Sequence, residues 1–452
     1  MEKKSCSHVL LVPYPTQGHI NPMLQFSRRL ASKGLKTTLA VTNFVSTTIK
    51  PQSSTVQIAT ISDGFDQGGF TEAQSTHDYL ARFESAGSKT LADLITKHKN
   101  SPHPIDCVVY DSFLPWALDV AHQLGLVGAA FFTQNCAVNY IYYNVHHGLL
   151  TLPISPSVPS SIPGLPLLEL RDMPGFIYVS GSYPAYFEMV LLQFSNTEKA
   201  DFVLVNTFYE LEQEVVDTMS KVGPLLTIGP TIPSAYLDKR IEDDSFYGLD
   251  LFKLESSAAT AKWLSNKPPG SVVYVSFGSL SNLSIQQMEE MAWGLKNSGF
   301  YFLWVVRDTE KAKIPADAEG EKGLIVGWCP QMEVLSNAAV GCFFTHCGWN
   351  STIEALSLGV PMVAMPQWTD QQTDAKFVED VWKVGIRVRV EEDGIVRREE
   401  IESCIREVVE GERGKELKEN AKKWKELSVK AVCEGGSSDK NIDDFVSRLI
   451  KT

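Results

Sequence analysis

The chain has 452 residues, 44% of them hydrophobic, and a formal net charge of −13. That length suits two domains of roughly 200 residues each, and the composition is that of an ordinary globular protein. The acidic balance argues against a nucleic-acid or anionic-membrane surface, because binding a phosphate backbone needs a basic stripe. A phosphate-bearing ligand would have to be held by local groups.

The opening MEKKSCSH is followed by only a few apolar residues before Pro13 and Pro15, and no later run reaches transmembrane length. Neither a signal peptide nor a membrane span is expected. The eight cysteines follow no framework spacing, which predicts free thiols in a cytoplasmic protein. Cys342 and Cys347 flank His346 but lack the second ligand pair of a zinc site.

Residues 8–13 (HVLLVP) read as a strand and 14–20 as a turn carrying His19. Asn21 and Pro22 read as an N-cap followed by proline at the first helical position, with the helix stopping at Gly34. Further strands are predicted at 37–41, at 105–110 running into Asp111, and at 128–132 running into Thr133. Strands alternating with helices imply a parallel, doubly wound sheet. Ligands of such sheets sit outside the carboxyl ends of the strands, so His19, Asp111 and Thr133 are expected in one cleft. Residues 151–185, rich in Pro, Gly and Ser, read as a surface excursion that shapes a pocket. Strands at 202–206 and 225–229 close a first domain spanning 1–229. Residues 230–256 carry proline and charge with little periodicity and read as an interdomain linker.

The second domain, 257–435, restarts the same grammar. A strand at 271–276 runs into a Gly278-Ser279 turn, and a helix follows at 285–297. Strands are predicted at 300–306 and 324–326, the latter leading into Trp328. A strand at 340–345 then enters the turn HCGWN (346–350). Ser351 and Glu354 have the S-x-x-E spacing of a capping box, opening a helix that stops at Gly359 ahead of Pro361. A helix starting at a glycine-containing turn after a strand offers free N–H groups and a positive dipole end, which suit a phosphate. Charge-rich helices follow, the last of them (436–452) packing back on the first domain. The fold class is therefore α/β, with two Rossmann-like doubly wound parallel-sheet domains facing each other across a cleft.

Common motifs are absent. There is no G-x-G-x-x-G after the first strand, no G-x-x-x-x-G-K-[ST], no G-x-S-x-G elbow and no H-E-x-x-H pair. Instead, WCPQ (328–331), HCGWNS (346–351), Glu354 and the Asp370-Gln371 pair recur at fixed offsets within residues 328–371. This window resembles the signature box of plant secondary-product glycosyltransferases. PTQGHINP (15–22), YDSFLPW (110–116) and SFGS (276–279) match the same family, so the resemblance spans the chain. SDGFDQGGF (62–70), GSYPAYFEMV (181–190) and GPTIPSAYLD (229–238) look closest to its salicylate and aromatic-acid glucosyltransferases.

The resemblance implies the two-domain GT-B fold, UDP-glucose as donor, no metal, a cytoplasmic setting and a monomer. Carried over residue by residue, Trp328 with its neighbour Cys329 would face the uracil and Gln331 the uridine. Glu354 would take the ribose hydroxyls, while Ser279, His346, Asn350 and Ser351 would hold the diphosphate. Trp349, Asp370 and Gln371 would contact the sugar, with Thr133 reaching it from the other domain. Gln371 ending the box resembles glucose-using members; histidine there would suggest galactose.

His19 and Asp111 would form a dyad in which neutral imidazole removes the proton of an acceptor hydroxyl and the carboxylate orients the ring. Thr16, Tyr183 and Trp368 are candidates to line the pocket of a small aromatic acceptor. Each residue also has a plain structural reading when taken alone: a turn histidine, a capping glutamate, core tryptophans, an aspartate at a helix start. Their joint occurrence in register favours an inverting glucosyltransferase, forming a glucoside or a glucose ester. The rivals are a glycoside hydrolase built on two carboxylates and a non-catalytic UDP-sugar-binding or small-molecule-binding protein.

Overall fold

A computed structural model describes residues 6–49, 55–245, 247, 257–279 and 281–451. Of the 230–256 linker, residue 246 and residues 248–256 lie outside these.

Among the described residues thirteen strands form two sheets, and every pairing in them is parallel. The first sheet contains β1 (His8–Val12), β2 (Lys36–Thr42), β3 (Gln57–Ile61), β4 (Cys107–Asp111), β5 (Val127–Phe132), β6 (Phe202–Val205) and β7 (Leu226–Thr227), in the order β3-β2-β1-β4-β5-β6-β7. The second contains β8 (Val272–Ser276), β9 (Tyr301–Val305), β10 (Gly323–Val326), β11 (Val340–Thr345), β12 (Met362–Ala364) and β13 (Gly385–Arg387), in the order β10-β9-β8-β11-β12-β13. Both are doubly wound, and each reverses direction between its first strand and its fourth. Such a switch point opens a crevice at the carboxyl ends of the strands. His19 follows β1 and Asp111 ends β4; Ser279 follows β8 and His346 follows β11. The two predicted clusters therefore stand at the two switch points.

Burial explains the strands. β1, β4 and β8 are buried along their whole length, as continuous apolar runs covered on both faces must be. The edge strand β3 leaves Gln57 and Ile58 exposed, and neither it nor β13 stands out as an apolar run in the sequence.

Three local expectations change. The first helix spans Gln17–Ser32, with Thr16 as its N-cap and Pro22 inside it; it does not start at Asn21. His19 thus lies in the first turn, its N–H donating to the Thr16 carbonyl at 3.0 Å. Second, the helix after β11 spans Trp349–Leu358 with Gly348 at its N-cap and no side-chain cap. Ser351 and Glu354 do not form a capping box, because the N-cap lies three residues earlier, at Gly348, and Gln331 takes the Glu354 carboxylate. Gly359, at φ 73°, ends that helix as expected. Third, residues 151–185 are anchored as well as exposed: Ile162, Leu168, Met173 and Phe176 are buried, and a short helix covers Gly175–Tyr178.

The halves are joined by buried polar contacts. The Trp349 indole donates to the Asn206 carbonyl at 2.7 Å, the Trp382 indole to that of Leu211 at 3.1 Å, and the Gly175 N–H to that of Thr369 at 2.5 Å. Arg28 and Arg29 of the first helix hold Asp244 and Asp238, at 2.8 and 2.6 Å. The C-terminal helix Ser437–Lys451 buries Ile442, Phe445, Val446 and Leu449 against Phe26, Phe131 and Phe202 of the first half. Phe445 lies edge-on to Phe202 at 4.9 Å. Phe445→Ala should remove about 3–5 kcal/mol of stability, read as a lowered midpoint in thermal or denaturant unfolding.

Candidate active site

The dyad is formed. His19 Nδ1 lies 2.6 Å from Asp111 Oδ2, and the His19 side chain is 16% exposed while that of Asp111 is fully buried. The same carboxylate accepts the Tyr14 N–H at 3.2 Å and the Phe113 N–H at 3.1 Å. A carboxylate only accepts, so Nδ1 carries the proton of the neutral ring and Nε2 is left with a lone pair. Thr133 Oγ1 stands 3.3 Å from Nδ1. The imidazole sits between Tyr14 at 5.5 Å and Phe113 at 4.8 Å. Burial, with Tyr186 and Asp111 nearby, pushes the Tyr14 phenol up, so it stays a neutral wall. Phe113, adjacent to the predicted Asp111, was not singled out from the sequence.

Across the cleft, the Trp349–Leu358 helix points its N-terminus at the first helix. The N–H groups of Asn350 and Ser351 have no acceptor among the described residues. Asn350 Nδ2 donates to the Gly18 carbonyl at 2.7 Å. Helical geometry would give that carbonyl the N–H of residue 22, and Pro22 has none. A proline in the first half thus creates the acceptor that a box residue of the second half uses.

His346 packs against two glycines: a Cβ on Gly278 or on Gly348 would lie 2.8 Å from its Nε2. Gly278 also has φ +73°, so both backbone and space demand glycine there. Burial pushes the His346 imidazole down to about 4, against the opposing pull of Asp370 and the Ser276 backbone. At neutral pH it is an uncharged donor beside a helix start. Ser279 is exposed on the facing turn.

Gln331 Nε2 donates to Ser351 Oγ at 3.1 Å and Glu354 Oε2 at 2.8 Å, and its carbonyl accepts from Tyr274 Oη at 3.2 Å. Burial pushes the Glu354 carboxyl up to about 7, although Gln331 and Tyr247 favour its charged form. Trp328 is half-buried. Cys329 is buried against Tyr274, with Sγ 3.6 Å from its hydroxyl, so its side chain belongs to the floor. Cys342 and Cys347 are buried free thiols.

Asp370, 7% exposed, accepts the Trp349 N–H at 2.9 Å and the Thr369 hydroxyl. Gln371 Oε1 accepts the N–H groups of Gln367 and Trp368, at 2.8 and 3.1 Å, which leaves its amide nitrogen for another partner. The Trp349 indole is 3% exposed and turned toward Asn206, so only the backbone of Trp349 faces this group. Thr16 sits at the helix start. Tyr183 and Trp368 meet at 5.2 Å and line a cavity of about 130 Å³ with Gly175, Phe176, Val179, Ser182 and Gln367. None of these seven residues is charged.

A family model described as "UDP-glucoronosyl and UDP-glucosyl transferase" matches residues 259–428, and one described as "Glycosyltransferase, N-terminal domain" matches 6–62. The chain is 59% identical to UDP-glycosyltransferase 74F2 of Arabidopsis thaliana over 457 residues, covering 99% of each chain. The chain belongs to the plant family 1 UDP-glycosyltransferases. A second Arabidopsis relative, a flavonol 7-O-beta-glucosyltransferase, is 56% identical over 455 residues, again 99% of each chain. Among solved structures, Os79 from O. sativa in complex with UDP has a TM-score of 0.93 at 42% identity, covering 98% of this chain and all of that one. The two facing sheets of this glycosyltransferase are the GT-B fold. No helix among its described residues is long and apolar enough to cross a membrane.

Three donors converge on Asp111, and an amide in its place would turn an N–H toward one of them. Asp111→Asn should cost about 1–3 kcal/mol of stability, measured by denaturant unfolding.

Proposed function

We propose that this enzyme transfers glucose from UDP-glucose, with inversion, to a hydroxyl or carboxyl of a small flat aromatic metabolite of salicylate or benzoate type. The observation that carries the reading is the His19–Asp111 contact at 2.6 Å, set among aromatic rings and linked across the cleft to the box helix by Asn350. The acceptor O–H gives its proton to His19 Nε2 as its oxygen attacks the anomeric carbon. The bond from that carbon to the diphosphate breaks, and its electrons leave with UDP. Asp111 holds the ring's tautomer and stabilises the imidazolium.

On the donor side, Trp328 stacks on the uracil above Cys329 and Gln331, and Glu354 takes the ribose diol. Ser279, His346 and the N–H groups of Asn350 and Ser351 receive the charge that develops on UDP, a role that a helix start and a neutral donor fill without a metal. Asp370, Gln371 and the Trp349 backbone meet the sugar, with Thr133 opposite. Thr16, Tyr183 and Trp368 border the acceptor. The uncharged cavity between Phe176 and Trp368 is close to the size at which an apolar pocket accepts one benzene-sized ring, and the relative named for flavonol 7-O-beta-glucosylation supports an aromatic hydroxyl and a β-linked product. We read the enzyme as a cytoplasmic monomer.

His19→Ala should lower turnover on a phenol about 10²–10⁴-fold and affect a carboxylate acceptor, already without its proton, far less. Mass spectrometry of products from UDP-glucose and a mixed panel of phenols and aromatic acids measures both. Wild-type phenol turnover in the variant would remove the base from the mechanism.

The diol donates to Glu354, so UDP prefers the charged carboxylate. Below pH 7 that carboxylate must first lose a proton, and Kd for UDP should rise by up to about tenfold per pH unit. Calorimetry across pH on wild type and Glu354→Gln checks this; the Gln variant should lose this part of the pH dependence.

A further inference from the structure

The helix Gln371–Lys376 places a second acidic residue, Asp374, one turn beyond Asp370, and the Asp374 N–H closes on the Asp370 carbonyl at 3.0 Å. Residues four apart share one helix face. Asp374 is fully buried. Its Oδ1 accepts from Asn135 Nδ2 at 2.6 Å, a contact made from the opposite half of the molecule. Asn135 is itself fixed: it caps the helix Cys136–His146, and its Oδ1 accepts the Val138 N–H at 2.9 Å. The other oxygen of Asp374, Oδ2, is buried with no hydrogen-bond donor. A buried carboxylate oxygen without a donor, facing a second carboxylate, is costly unless one proton lies between them.

We propose that Asp374 is a positioning residue for the sugar site: gripped by Asn135 across the cleft, it donates a hydrogen bond to Asp370 and fixes where that carboxylate points. The inference rests on the reading of Asp370 as a sugar contact. Around Asp370, the Trp349 N–H and the Thr369 hydroxyl hold it from its own half. Through Asn135, Asp374 ties it to the first half, so the direction of the sugar carboxylate depends on a contact that both halves share.

The electrostatic surroundings agree. Burial and the neighbouring Asp370 push the Asp374 carboxyl well above the usual carboxylate range, with Glu212 adding to the effect and Asn135 opposing it. Glu212 accepts the Cys136 and Ala137 N–H groups at 3.0 and 2.8 Å, and burial raises its carboxyl as well. The other titratable groups facing this pair are the His346 imidazole, which burial pushes down while Asp370 pulls it up, and the Tyr142 phenol and Cys347 thiol, both pushed up by burial. Arg387 is the nearby cation, felt by Cys347 and paired with Asp172 at 2.8 Å.

The test compares Asp374→Ala, Asp374→Asn and Asp370→Asn in the full chain, reading kcat and KM for UDP-glucose, calorimetric Kd for UDP, and the pH profile. Asp374→Ala should lower kcat/KM for UDP-glucose about tenfold, the loss of roughly one hydrogen bond to a charged group, and leave UDP affinity unchanged. In Asp374→Asn the amide can both accept from Asn135 and donate to Asp370, so activity should return. The wild type should lose kcat/KM on the alkaline side as Asp374 gives up its proton, and the Asn variant should lack that limb. The proposal is overturned if Asn is as impaired as Ala, if Ala weakens UDP as much as UDP-glucose, or if Ala has no effect. If Ala does not fold, the alkaline limb of the Asn variant decides alone. Should Asp370→Asn leave the kinetics of UDP-glucose unchanged, the sugar-site reading itself fails; a defect there with Asp374→Ala intact overturns only the inference.

Discussion

A single buried carboxylate organises the acceptor side. Asp111 ends β4, next to the end of β1, and takes hydrogen bonds from the backbone after each strand and from the His19 ring between them. A charge so far from water persists only where such donors surround it. The constraint runs both ways: the carboxylate ties two strand ends together, and those ends keep the imidazole in one tautomer facing the cleft. Without the 3-2-1-4 strand order, residues 19 and 111 would have no reason to meet.

The donor side rests on the same geometry and different chemistry. There the switch point carries a helix start and a neutral histidine against two glycines in place of a paired base. Its polar residues are fixed less by one hub than by a relay from Gln331 through Ser351 and Glu354, and from Trp349 and Thr369 to Asp370. In the proposed reaction the first sheet offers a proton acceptor and the second a field for departing negative charge, so the transfer needs both.

How much of this could be read from the chain depends on how local each cause is. Apolar runs gave away β1, β4, β5, β8 and β11, because a fully buried strand needs nothing beyond itself to be recognised. The placing of His19, Asp111 and Thr133 at strand ends followed from the same pattern. The short edge strands β3 and β13 were missed, since neither has an apolar run to mark it. The helix starts at Gln17 and Trp349 were misplaced because local cap signals, Asn21-Pro22 and the S-x-x-E spacing, were outweighed by tertiary partners. The direction of the Trp349 indole, and the grip of Asn135 on Asp374, depend on residues more than a hundred positions away.

Pro22 removes a hydrogen, and Asn350, 332 positions beyond Gly18, reaches over to use the carbonyl that this leaves open. The two residues make one contact written in separate halves of the chain. Recombining a first half from one member of the family with a second half from another preserves the seam only when both carry their part of it. A first half with an ordinary residue at position 22 would make its own helix compete with the incoming amide for that carbonyl.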